Sequence, residues 1–98
     1  MPSNELIDVS PNPRIDEVIG DTVHQLMWRA RETQTSLAPL LSLGQSALSL
    51  KIRGRRPWSA LEVDVMARHF GVSPAVLFGF EPIPDGWAPS GSNRRPKD

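Results

Sequence analysis

Residues 33–56 read TQTSLAPLLSLGQSALSLKIRGRR, and no other stretch restricts the possible fold so sharply. Its apolar residues recur at helical steps, first as Leu37, Leu40 and Leu41, then as Leu48 and Ile52. Only residues 42–44 separate the two sets, and Gly54 with a basic cluster closes the stretch. Helices this short are not stable alone, because isolated helices below roughly 12–15 residues are marginal in water. The rest of the chain must therefore supply the surface that holds them.

That surface is expected from three further helical patterns. In residues 14–31, Ile15, Val18 or Ile19, Val23, Leu26, Met27 and Ala30 recur at three- and four-residue steps. Asp16, Glu17 and Asp21 lie toward the start and Arg29 and Arg31 at the end, as the helix dipole favours. Asn12 is placed to cap this helix, and Gly20 is a weak point inside it. Residues 59–70 form the clearest pattern: Ser59 and Glu62 make a capping box, Leu61, Val63, Met66, Ala67 and Phe70 form the buried side, and Gly71 stops the helix. Ser73 and Pro74 open a short last helix carrying Val76, Leu77 and Phe80 into the core. Trp58 is expected to pack over the junction before residue 59, and Trp28 and His69 are read as packing residues. No strand pattern is present. The expectation is an all-α bundle of five short helices over residues 14–80, between an arm at 1–13 and a proline- and glycine-rich tail at 81–98 with little fixed structure.

Within residues 33–41, Thr33 is the N-cap and Pro39 the difficulty. A proline inside an established helix costs ~3 kcal/mol. Either regular helix begins near Ser36, making Pro39 part of the first turn, or the helix bends. Residues 44–53 form the following helix, with Gly54 as its left-handed cap.

Net charge is zero, which by itself argues against a polyanion-binding surface, but the charge is unevenly distributed. Residues 1–26 hold five acids and one base, whereas residues 27–80 hold seven bases and three acids, a local surplus of four. The chain has no cysteine, and His24 and His69 are too far apart for a convincing metal motif. Neither a Ser-His-Asp constellation nor a phosphate-binding glycine loop is present, so an enzyme is not expected and no cofactor is implied. No apolar run approaches ~18 residues, and the start MPSNELIDVS lacks signal-peptide order, giving a cytoplasmic expectation.

The run Thr33-Gln34-Thr35-Ser36-Leu37-Ala38, the helix opening Gly44-Gln45-Ser46, the anchor Leu48, the closing Gly54 and the distal residues 67–73 resemble the lambda-repressor-like (Cro/repressor, XRE class) helix-turn-helix proteins of phages and bacteria. The similarity spans residues 18–78. Ser42 stands where the family usually has glycine, Pro39 interrupts the second helix, Lys51 stands where many relatives are apolar, and Ile52 takes an often acidic position.

This resemblance implies a regulator, most simply a repressor, that binds double-stranded DNA with helix 44–53 in the major groove, usually as a dimer on a two-fold operator. Gln45 would read adenine through its amide, with Ser46 and Ser49 on base edges and Leu50 on a thymine methyl. Gln34, Thr35, Lys51, Arg53, Arg55 and Arg56 would contact phosphates. Leu50 and Lys51 compete for the DNA-facing position. Plainer readings exist: Gln45 as an exposed helix opener, the serines as caps or packing residues, and the cations, with Arg94, Arg95 and Lys97, as solvated charge. The alternative function is a protein-interaction module on the same fold, such as an antitoxin or anti-repressor, engaging its partner through the acidic N-terminal region.

Overall fold

The computed structural model describes residues 13–89. The readings of the arm, of Asn12 as a cap and of Arg94, Arg95 and Lys97 lie outside the described residues. The helices are α1 (Pro13–Arg29), α2 (Gln34–Leu37), a 3-10 segment (Ala38–Leu41), α3 (Gln45–Ile52), α4 (Ala60–Phe70) and α5 (Pro74–Leu77), with no strand among the described residues. The fold is all-α, as the periodicities indicate.

One core joins these elements. Ile19, Val23 and Leu26 of α1, Leu37 of α2, Leu48 of α3, Met66 and Phe70 of α4 and Leu77 of α5 are all essentially inaccessible. α1 packs on α3, α4 and α5, and α2 leans on α3. The α1–α3 contact explains the glycine inside α1. A Cβ at Gly20 would collide with the Ile52 carbonyl oxygen and sit 2.7 Å from that of Lys51. The two helices therefore meet backbone to backbone, a spacing only glycine permits.

Three devices set the pose of the short helices. Thr33 and Ser36 form a capping box: the Ser36 amide donates to Thr33 Oγ1 at 3.1 Å and the Thr33 amide to Ser36 Oγ at 3.1 Å. Pro39 is accommodated neither by a late start nor by a bend. Regular α-helix ends at Leu37 and the chain tightens into the 3-10 segment, where Pro39 falls in the first turn and its missing donor costs little. Ser42 then takes φ 57°, the left-handed conformation that usually calls for glycine, and its amide donates to Pro39 O at 3.1 Å. The Ser59–Glu62 capping box of α4 is present as expected.

Several packing expectations fail. Leu61 is 71% exposed because it lies on the opposite side of α4 from Val63, Met66 and Phe70. Trp28 and Phe80 are each 75% exposed rather than buried, Phe80 stacking only on Phe78. The segment from residue 81 is not a free tail over its described part. Ile83 and Trp87 pack against the core, and the Trp87 indole donates to Phe70 O at 2.9 Å while meeting the Phe70 ring edge-on. His69 is half-buried, its Nε2 2.7 Å from Glu32 Oε1, and so ties the end of α4 to the segment before α2.

Candidate functional site

α3 begins at Gln45, one residue later than expected, with Gly44 as its N-cap and Arg53 as its C-cap. Gly44 has no side chain to occupy the first amides of the helix, so that end is open to an external acceptor. At about 100° per residue, positions 45, 46, 49, 50 and 53 fall on one side of α3, and 47, 48, 51 and 52 on the other. The structure follows this division. Leu48 and Lys51 are buried and Ala47 and Ile52 partly so, while Gln45, Ser46 and Arg53 are exposed and Ser49 and Leu50 half-exposed.

The outer five line one open concavity of about 420 Å³. It presents an amide, two hydroxyls, a guanidinium and one short apolar surface, with no acidic side chain. These groups can donate to and accept from planar heterocycle edges and can neutralise an anion. Arg55 and Arg56 follow on the exposed loop. Gln34 and Thr35, in the first turn of α2, are half-buried and exposed respectively, and neither lines the concavity.

Lys51 does not belong with the surface cations. It is only 7% exposed, and its Nζ donates to Pro57 O at 2.7 Å and Glu62 Oε1 at 2.9 Å. Its ammonium is committed internally, which corrects the reading of Lys51 as a phosphate contact. The competition between Leu50 and Lys51 ends with Leu50 outside and Lys51 inside. Burial works against the charge on Glu62, but the Ser59 amide and the Lys51 ammonium outweigh it and hold the carboxyl below its ordinary value.

Trp58 completes the support, as expected of a junction residue. It is buried, its indole donates to Lys51 O at 3.0 Å, and its amide donates to Asp16 Oδ1 at 2.9 Å. The end of α3 is thus fixed both to the loop that follows it and to the first turns of α1. Sequence reasoning missed Asp16 and Glu62 in these roles. Local pattern had already assigned both to helix starts, and only the fold brings them to α3.

The family model of the BetR domain matches residues 14–93, most of the chain. The chain belongs to the BetR domain family. The match covers all five helices and the segment carrying Ile83 and Trp87, so a BetR domain here is a small helical domain closed by residues beyond α5. Comparisons with curated proteins and with solved structures find no match. Among the described residues no helix is long and apolar enough to cross a membrane, and no group of three or more His, Asp or Glu is arranged to hold a metal ion.

Proposed function

We propose that this BetR domain is a sequence-specific double-stranded DNA-binding regulator of transcription that reads the major groove with the outer face of α3. The observation that carries this reading is the sorting of α3: every side chain suited to base edges faces outward, and the one cation that could confuse the pattern is buried. Gln45 takes an adenine, Ser46 and Ser49 approach neighbouring edges, and Leu50 meets a thymine methyl. Arg53, Arg55 and Arg56 neutralise phosphates, and Gln34 and Thr35 approach the backbone from the start of α2.

Within this reading the chain is a phage or prophage repressor of the Cro and lambda-repressor class, not an enzyme. It acts in the bacterial cytoplasm and pairs, at least on DNA, over a two-fold operator. A second reading, a protein-interaction module, is favoured by the exposed Trp28 and Phe80.

Selection of bound sequences from random duplexes at two salt concentrations tests the choice. The expected result is a short enriched motif with two-fold symmetry. Gln45→Ala should then weaken binding to that motif by ~1–3 kcal/mol and relax one base position. Absence of any enriched motif would favour the interaction module, and an unaffected Gln45→Ala variant would place the reading face elsewhere.

A further inference from the structure

Lys51 reaches the loop between α3 and α4 from two sides. Its ammonium holds the Pro57 carbonyl at 2.7 Å, and its own carbonyl receives the Trp58 indole at 3.0 Å. Glu62, 2.9 Å from the same ammonium, also accepts the Ser59 amide at 2.9 Å, so the far end of the loop is attached to the start of α4. Between these anchors lie Arg53, Arg55 and Arg56, all exposed. The Arg55 amide is itself fixed to Leu50 O at 2.8 Å.

A buried lysine–glutamate pair is a poor source of stability, because desolvation offsets most of the attraction and an apolar side chain would fill the space as well. What an apolar side chain could not do is hold the Pro57 carbonyl. We propose that Lys51 is a positioning residue. Its buried ammonium pins residues 53–58, so that the three arginines meet an anionic backbone as a pre-ordered set rather than as a loop ordered on contact. Pre-ordering removes an entropic cost from binding and leaves base preference to α3. The ligand half of this inference rests on the DNA reading above; the pinning half does not.

The test compares the wild-type chain with Lys51→Met/Glu62→Gln, which leaves no lone buried charge and retains a capping-box residue at 62, and with Lys51→Arg. Amide and indole hydrogen exchange on the free proteins, followed by NMR, reads the loop. The Trp87 indole, bonded to Phe70 O, serves as an internal reference. The Arg55 amide and the Trp58 indole should exchange at least about ten-fold faster in the double variant relative to Trp87.

Binding is read by anisotropy on a selected-motif duplex and a scrambled duplex across a salt series. The double variant should bind both about ten-fold more weakly at low salt, keep the ratio between them within about two-fold, and lose about one to two phosphate contacts from the salt slope. Lys51→Arg should retain most of each property.

Unchanged relative exchange overturns the pinning. Faster exchange with unchanged affinity and slope overturns its role in anion contact, as does a loss confined to the motif duplex. A Lys51→Arg loss as large as that of the double variant counts against the charge as the pin. A wild-type chain that binds neither duplex removes the DNA reading and the ligand half together, while the exchange comparison still decides the pinning.

Discussion

Replacing Gly20 by alanine opposes two effects of opposite sign. In an unconstrained helix interior the change stabilises by roughly 0.5–1 kcal/mol, because alanine loses less backbone freedom on folding. Here the added carbon would collide with the Ile52 carbonyl oxygen and lie 2.7 Å from Lys51 O and 2.8 Å from the Ile52 carbonyl carbon. All three atoms are main chain and cannot swing aside, so α1 and α3 must separate. Overpacking of this kind costs about 1–3 kcal/mol, more when backbone has to move. The net expectation is a loss of about 1–2 kcal/mol, after subtracting the propensity gain. For a domain of this size each kcal/mol moves the melting temperature by about 4–8 °C, so circular dichroism should show a fall of about 5–15 °C. A rise of several degrees, as an exposed helical glycine would give, refutes the backbone-to-backbone packing.

Ser42→Gly should raise stability by up to about 1 kcal/mol, because the left-handed φ of 57° strains any residue with a Cβ; a lower melting temperature would show that the serine side chain compensates for the strain. Leu48→Ala should cost about 2–5 kcal/mol through cavity formation, whereas Leu61→Ala, on the exposed side of α4, should shift stability by no more than about 0.5 kcal/mol in urea titrations. Because folding lowers the pKa of Glu62, its contribution to stability is complete above the ordinary value of 4.5 and is lost as pH falls through the lower, folded-state value. Glu62→Gln should therefore flatten the acid limb of a stability–pH curve as pH falls below 4.5, and an identical acid limb would remove Glu62 from the account.

Residues whose fate depends on one helix period were readable from the chain. Leu37, Leu48, Val63, Met66 and Phe70 are buried where the spacing puts them, and the Ser59–Glu62 box forms as its pattern requires. Leu61 was legible in principle. It sits about 160° around the helix from Val63 by the 3.6-residue period, and its hydrophobicity obscured that. Lys51 was legible only as an open choice: hydropathy sends lysine outward and leucine inward, the resemblance sets an apolar residue at 51, and α3 buries Lys51 while turning Leu50 outward. The reason is non-local: Glu62 and the Pro57 carbonyl arrive from the next loop and helix. The Ile83–Trp87 closure was hidden for a different reason. Proline and glycine around it suggested a free tail, although an isoleucine and a tryptophan four residues apart also describe a small apolar clasp. On the outer side of α3, Gln45, Ser46, Ser49, Leu50 and Arg53 share one concavity, as a single helix period places them, whereas Gln34 and Thr35 mark a helix start that does not line it.

The bond from the Trp58 amide to Asp16 joins residues 42 apart in sequence. α3 has eight residues, its closing carbonyls are covered by α1, and its last turn is held by a side chain from the following loop. Such a segment has no helical existence apart from the assembled domain. A peptide cut from residues 33–56 should be unstructured, and grafting its sequence onto another scaffold would carry over the letters but not the surface. The converse follows by mass action. Any molecule that engages the outer face of α3 binds only the folded chain, so its affinity is spread over the entire domain as resistance to unfolding, by about 2.7 kcal/mol at a hundred-fold excess over its dissociation constant.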